Sequence, residues 1–253
     1  MEIMLFPFFV IFIRDMFIKN AYNMNITFIS DTHSKHHRLT NLEGGDILIF
    51  CGDFMTSGYR TDEFMDFIDW IKIQPYKYKV CIAGNHDRYC ESFPSYTVKD
   101  MFEEYYDEGV RYVCDEMIEI EGLKIYGTPY QPYFCNWAFN VPDEEKLYNI
   151  YKQIPEDVDI LITHCPPYDI LDKSHVARPF SLTTGEEPLG SKELAKVLDE
   201  LGEHKPRYHA FGHIHGDGGK ILELNGTTYI NASVCNENYS PDNKIISLEI
   251  ESK

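Results

Sequence analysis

The sequence predicts one layered α/β domain with its β-sheets inside. Short apolar runs typical of buried strands alternate with segments of helical periodicity in the earlier part of the chain. Strand-like segments dominate the later part, and no internal repeat or low-complexity linker divides the 253 residues. This order of elements is typical of domains in which helices cover a central sheet layer. The length fits one large domain or two small ones, and a single domain over residues 24–253 is the simplest division.

The individual elements follow from local patterns. Apolar runs that end at glycine or polar residues predict strands, and apolar residues on one face predict helices. The expected strands are 26–30, 46–51, 79–83, 159–163, 208–211, 219–224, 227–232 and 244–250. The expected helices are 61–73, 98–107, 144–153 and 191–201, the last with Ser191 as its N-cap. Residues 117–127 predict a hairpin with Glu121-Gly122 at its turn.

The composition is strongly acidic. The chain has 41 Asp and Glu residues against 23 Lys and Arg residues, which gives a formal net charge of −18. Non-specific binding to nucleic acid requires cations that neutralise phosphates, so this balance disfavours a long nucleic acid as a partner. A small substrate is the better expectation.

The cysteines indicate a reducing compartment. There are seven, an odd number, and no C-x-x-C pair occurs. Several lie in or beside apolar runs, where cysteine behaves as a small apolar residue. The pattern therefore disfavours a disulfide framework or a thiolate zinc site, and we expect a cytoplasmic protein.

The N-terminal segment 1–23 is an apolar extension whose role the sequence leaves open. Its apolar run, residues 3–13, is shorter than the roughly 20 residues that cross a bilayer, and no positive charge precedes it. A membrane-surface anchor, a helix packed on the domain and an extension upstream of a true start at Met24 all fit. We prefer the third, because the domain pattern begins at Asn25.

Polar side chains follow five of the predicted strands, at the point where each strand ends. The stretches are DTH at 31–33, GD at 52–53, GNHD at 84–87, His164, and GHIH at 212–215. Functional groups of layered α/β proteins cluster at the carboxyl ends of strands, so we expect these to converge. Oxygen and imidazole ligands suit Mn, Fe or Zn. The candidate metal ligands are Asp31, His33, Asp53, Asn85, His164, His213 and His215.

This set of motifs resembles the calcineurin-like metallophosphoesterase superfamily. Finer stretches, including ISDTHSKH, KIYGTPYQPYF and TTYINAS, resemble its branch of metallophosphoesterase-domain-containing proteins. The resemblance implies a four-layer αββα sandwich of two mixed β-sheets flanked by helices. It also implies two divalent metal ions, with manganese expected in vitro. Asp31, His33 and His215 would hold the first ion, and Asn85, His164 and His213 the second, with Asp53 bridging both.

The resemblance also implies a mechanism. A hydroxide that bridges the two ions would attack phosphorus in line with the leaving oxygen. His86 would protonate the leaving group as general acid, and Asp87, where many relatives have Glu, would orient its imidazole. An amide at position 85 leaves the centre with about one net positive charge, which suits a phosphate ester.

We expect the substrate to be a small phosphodiester, most simply a cyclic nucleotide, because relatives of this branch are implied to be cyclic-nucleotide phosphodiesterases. A phosphatase or nuclease acting on another phosphate ester, and a weakly active nucleotide-binding regulator, are the alternatives. Aromatic residues of the YQPYFCNW segment could stack on a base or could anchor the loop in the core. These are Tyr130, Tyr133, Phe134 and Trp137. Arg178 could contact a phosphate.

Overall fold

A computed structural model describes residues 23–106, 108–175 and 188–252. The expectations for residues 1–22, including the membrane anchor, and for Arg178 concern positions outside these ranges. No helix within the described ranges has the length and apolar character needed to cross a membrane.

The bounds of the elements follow in chain order. The strands are β1 (Asn23–Ile29), β2 (Gly45–Cys51), β3 (Tyr76–Ile82), β4 (Val110–Tyr112), β5 (Glu116–Ile120), β6 (Leu123–Thr128), β7 (Gln131–Pro132), β8 (Asn140–Val141), β9 (Ile160–Thr163), β10 (Tyr208–Phe211), β11 (Lys220–Leu224), β12 (Thr227–Asn231) and β13 (Ile246–Glu251). The helices are α1 (Thr61–Lys72), α2 (Arg88–Glu91), α3 (Ser95–Glu103), α4 (Glu144–Tyr151) and α5 (Lys192–Leu201).

Two mixed sheets form the centre of the domain. The first has the order β13-β1-β2-β3-β4, in which β1 to β4 run parallel and β13 is antiparallel at one edge. The second has the order β11-β12-β10-β9-β6-β5, with four parallel inner strands and an antiparallel strand at each edge. β7 and β8 pair with each other in a short separate ribbon. Parallel strands dominate both sheets, so many carboxyl ends lie along one edge of each.

The side chains of β2 explain why the domain has four layers. Ile47 and Ile49 point into an apolar core that also contains residues of the second sheet, such as Ile160. Leu48 and Phe50 point the opposite way, into a second core that contains α1 and α3. A third core joins the far side of the second sheet to α4 and α5. Successive residues of a strand face opposite sides, so a strand buried on both faces is apolar throughout. The predicted αββα sandwich is confirmed.

Local patterns in the sequence predicted most of the helices and strands. The apolar face of α1 is buried as predicted, and the Ser191 hydroxyl accepts a hydrogen bond from the Leu194 N–H, which caps α5. In the hairpin turn, Glu121 and Gly122 both have positive φ angles, +50° and +87°. Those values belong to the two-residue turn that matches the twist of a hairpin. The sequence analysis missed α2, β4, β7 and β8, which are too short to show a period.

Burial of His209 predicts acid sensitivity. The imidazole of this β10 residue is fully buried, which lowers its pKa to about 3. The unfolded chain binds a proton at His209 near pH 6.5, and the folded chain does not. The contribution of the buried neutral ring to the free energy of unfolding is therefore fully present above pH 6.5. We expect the free energy of unfolding to decrease as pH falls from 6.5 towards 3. Urea titrations at several pH values should show a shallower decrease for His209→Gln and an unchanged one for the exposed His204→Gln.

Candidate metal centre

The seven predicted ligands converge where the two sheets meet. Asp31, Asp53 and Asn85 follow β1, β2 and β3 of the first sheet, whereas His164 and His213 follow β9 and β10 of the second. Ser30, at the end of β1, forms a bridge with Ser233, just beyond β12 of the second sheet. The carboxyl ends of parallel strands from both sheets therefore face one cleft, as expected for a site in a layered α/β protein.

The backbone around the centre is strained at the predicted ligands. The φ angle is +56° at Asp31, +44° at His33, +59° at Asp53 and +66° at His213. A non-glycine residue in this region costs about 1–3 kcal/mol, and such residues concentrate at functional sites. The strain supports a functional role for these four loop tips.

Glycine is required where the loops approach one another most closely. A Cβ atom on Gly84 would lie 2.3 Å from Asp53 Oδ1, and one on Gly212 would lie 2.1 Å from Asp31 Oδ2. The glycines that precede Asn85 and His213 therefore permit the close contact of two ligand loops.

One cluster consists of Asp31, His33 and His215. The Nε2 atom of His215 lies 3.3 Å from Asp31 Oδ1 and 3.2 Å from His33 Nε2. His215 Nδ1 lies 3.1 Å from the carbonyl oxygen of Asn236 and so carries a proton that it donates. In the neutral ring, Nε2 then presents a lone pair towards the Asp31 carboxylate. A bound cation would relieve this opposition. Without one, burial disfavours the charged ring, but the hydrogen bond and charge of Asp31 outweigh it and raise the pKa of His215, so that Nε2 can donate to the carboxylate.

A second cluster consists of Asp53, His164 and His213. His164 Nε2 lies 3.3 Å from Asp53 Oδ2 and 2.9 Å from Asn85 Oδ1, while its Nδ1 lies 2.9 Å from the Cys51 carbonyl. The carbonyl again fixes the proton on Nδ1 and turns the Nε2 lone pair towards two oxygen atoms. Histidine ligands of metals commonly donate their second N–H in this way. The donor set therefore fits a divalent transition ion.

The Asp53 carboxylate lies near candidate ligand atoms on both sides of the centre. Its carboxylate groups with His164 and His213, and also with His33 and His86, with ligand atoms no more than 4.8 Å apart in each group. This position is the one that a carboxylate shared by two ions requires. The individual ligand assignments remain predictions.

The ionisation of these groups suits cation binding. Burial would raise the pKa of Asp31, but the His215 hydrogen bond and nearby imidazoles outweigh it and hold that pKa below its usual range. Burial lowers the pKa of His33 to about 4 and that of His213 to about 3, so both rings offer lone pairs at neutral pH. For His164, burial opposes protonation, but the Asp53 carboxylate prevails and raises the pKa to about 9. Without a cation, a proton takes the place between His164 and the carboxylate.

His86 lies beside this centre, but Asp87 does not orient it. Both Asp87 oxygens instead accept backbone hydrogen bonds, from Asp53 at 2.9 Å, Gly84 at 2.7 Å and Met55 at 2.9 Å. His86 Nδ1 lies 2.5 Å from the Thr56 carbonyl oxygen. The orienting role predicted for Asp87 is therefore wrong, because its carboxylate is occupied by N–H groups of the Asp53 loop and of its own loop.

Sequence reasoning also missed the partners that fix the ligands. These are the carbonyls of Cys51, Thr56 and Asn236, together with the Ser233 hydroxyl, which donates a 2.8 Å hydrogen bond to Asp31 Oδ2. A backbone carbonyl leaves no mark on residue identity. Only Ser233, at the end of the TTYINAS stretch, carried a signal that could have been followed.

Comparison with known proteins places the chain in a family. The family model described as calcineurin-like phosphoesterase matches residues 24–217. The chain belongs to this family. Metallophosphoesterase domain-containing protein 1 of Homo sapiens is 35% identical over 241 residues, covering 88% of this chain and 69% of the human protein. UPF0046 protein K07C11.7 of Caenorhabditis elegans is 32% identical and covers 85% of this chain and 71% of its own length.

Solved structures support the fold. Protein TT1561 of Thermus thermophilus aligns with a TM-score of 0.56 at 13% identity, covering 90% of this chain and 99% of its own. The phosphopantetheinyl hydrolase of Mycobacterium tuberculosis aligns with a TM-score of 0.51 at 15% identity, covering 88% and 95%. Family membership makes this calcineurin-like phosphoesterase a metal-dependent hydrolase of phosphate esters.

The aromatic segment of this phosphoesterase divides into three environments. Tyr130 packs against the apolar cores, with its ring 5.7 Å from Phe139. Trp137 stacks on His86, with ring centroids 4.1 Å apart. Tyr133 and Phe134 are 57% and 44% exposed, and both line a cavity of about 330 Å³ next to His213 and His215. Of the four aromatic residues, Tyr133 and Phe134 are therefore the ones that line this cavity.

Proposed function

We propose that this protein hydrolyses small phosphodiesters and that cyclic nucleotides are its preferred class. The observation that carries the proposal is the cavity beside the metal centre. His213 and His215 form one wall, while Tyr133, Phe134 and Ile214 add apolar surface. A substrate with its phosphate on the centre would direct its organic part into this space.

The lining of the cavity suits an uncharged aromatic group. Aromatic side chains favour offset or edge contacts with a planar ring, which a nucleobase supplies. Glu237 also lines the cavity and places an acidic group there. A carboxylate at this position disfavours a substrate with further phosphates in the cavity. The same reasoning and the net charge of −18 disfavour long nucleic acid.

The chain's own residues supply binding and proton transfer. Asp31, His33 and His215 would hold one divalent ion, and Asn85, His164 and His213 a second, with Asp53 shared between them. When bound, such ions bind phosphate oxygens and make water nucleophilic at neutral pH. Because the Thr56 carbonyl accepts a hydrogen bond from Nδ1–H of His86, Nε2 is the ring nitrogen available to a leaving oxygen. His86 would protonate that oxygen as it departs.

The substrate class is tested with a panel. Activity on bis-p-nitrophenyl phosphate with Mn²⁺ should separate an enzyme from a nucleotide-binding regulator. We then expect higher kcat/KM on 2′,3′- or 3′,5′-cyclic nucleotides than on nucleoside monophosphates or single-stranded oligonucleotides. A preference for monophosphates or oligonucleotides would replace the cyclic-nucleotide proposal with the phosphatase or nuclease alternative.

Replacing His86 with alanine should lower kcat by about 10²–10⁴-fold on substrates with an alkoxide leaving group, the usual contribution of a general acid. Both metal ions should still bind, because the ring is absent from the seven-ligand set. Steady-state kinetics and metal analysis of the same preparation measure the two effects. His204→Ala, at an exposed position, is the matched control. Unchanged turnover in His86→Ala would remove His86 from the mechanism.

A further inference from the structure

The indole of Trp137 lies flat on the imidazole of His86. The two ring centroids are 4.1 Å apart and the planes differ by 26°. Aromatic rings in an offset parallel arrangement attract one another beyond the effect of burial. The edge of the same imidazole meets the His33 ring at 4.6 Å and 76°.

Contacts from two other segments fix the position of Trp137. The guanidinium carbon of Arg88 lies 5.2 Å from the indole and 5.1 Å from the Tyr59 ring, and its Nη2 donates to the carbonyl of Asn136. These are cation–π distances. The next residue, Ala138, donates its backbone N–H to the carbonyl oxygen of Asn85 at 3.0 Å. This hydrogen bond connects the segment that carries Trp137 to the loop that carries Asn85, a predicted metal ligand.

Two contacts therefore determine the orientation of His86. The Thr56 carbonyl fixes which edge of the ring points away from the centre, and Trp137 fixes the plane of the ring. The side chain is only half-buried, and Asp87 is occupied elsewhere. Without the indole, one face of the imidazole would lose its contact, while the Thr56 hydrogen bond and the His33 ring would remain.

We propose that Trp137 is a positioning residue for His86, which holds the imidazole plane so that Nε2 meets the leaving oxygen. The proposal rests on the general-acid role assigned to His86 above. Proton transfer requires the donor within hydrogen-bond distance of its acceptor, so a small rotation of the ring slows it. Trp137 itself needs no contact with the substrate, and this distinguishes it from Tyr133 and Phe134.

The test compares two diesters that share a phosphoryl group and differ in the leaving group. A p-nitrophenolate leaves without protonation, whereas an alkoxide needs a proton. For Trp137→Ala we expect kcat on the alkyl ester to fall by about 10–100-fold, the size of effect that misplacement of a reacting group produces. The aryl ester should change little, KM should hold, and Trp137→Phe should recover most of the loss. Phe134→Ala, a change in the cavity wall, should instead raise KM.

A second measurement is independent of turnover. The chain has two tryptophans, so in a Trp70→Phe background the emission comes from Trp137 alone. His86→Ala should change that emission and His204→Ala should not, while both proteins bind the same number of metal ions. An unchanged emission would overturn the stacking on which the proposal depends.

The kinetic outcomes separate the two proposals. Equal losses on both esters for Trp137→Ala, or full activity on the alkyl ester, would overturn the positioning role while leaving His86 as the acid. If His86→Ala itself retained full activity on the alkyl ester, both the acid and its positioning residue would be withdrawn. Selective loss in both variants, larger for His86→Ala, would support both.

Discussion

Asp53→Asn should abolish measurable turnover. The carboxylate groups with His164 and His213 and also with His33 and His86, and its Oδ2 is 3.3 Å from His164 Nε2. An amide keeps the size of the side chain but removes the negative charge that two cations would share. Asparagine also tolerates the positive φ of +59° at this position, so the loop should keep its conformation.

The measurement pairs activity on bis-p-nitrophenyl phosphate with the metal content of the purified protein. We expect the variant to lose at least one of two ions, together with its activity. Asp69→Asn changes an exposed carboxylate of α1 that pairs with Lys72, and it should behave as wild type. An active Asp53→Asn enzyme that still holds two ions would exclude a bridging role.

Asp87→Ala should be the most destabilising single change near the centre. Alanine would leave three buried N–H groups, of Asp53, Gly84 and Met55, without an acceptor. Each unsatisfied buried group costs about 1–3 kcal/mol, so we expect a loss of about 3 kcal/mol or more in the free energy of unfolding. Chemical denaturation measures this loss directly.

The loss of stability expected for Asp87→Ala would not follow from replacing a residue whose role is only catalytic. Asp69→Ala provides the surface control and should change stability by less than about 0.5 kcal/mol. Asp87→Asn retains one oxygen acceptor and should fall between the two. If Asp87→Ala were as stable as wild type but had lost only kcat, the role in catalysis that the sequence suggested would return in place of the structural one.

The sequence predicted the large elements because each carries its own signal. The strand 208–211 and helix 61–73 were placed within a residue of their observed bounds, since apolar period and a polar boundary coincide there. The seven candidate ligands were found because each follows the end of a strand. The carboxyl ends of parallel strands lie along one edge of a sheet, so polar residues that follow them lie near one another.

The sequence could not predict the groups that act through the backbone or through distant contacts. Asp87 adjoins His86 in the chain, which suggested a pair, but its carboxylate accepts hydrogen bonds from Asp53 and Met55 of another loop and from Gly84 of its own loop. The carbonyl that replaces it belongs to Thr56, 30 positions away. The sequence left open whether Trp137 stacks on a base or anchors its loop in the core, and its stacking on His86 depends on tertiary structure alone.

The candidate ligands come from distant parts of the polypeptide, and this has a consequence for biosynthesis. Asp31 and His33 leave the ribosome early, whereas their partner His215 lies 182 residues beyond His33. The early strands can pair while the later ones are still missing, but their donors then face an incomplete pocket. We therefore expect a chain that ends before His213 to hydrolyse no ester, because candidate ligands from the second sheet would be missing.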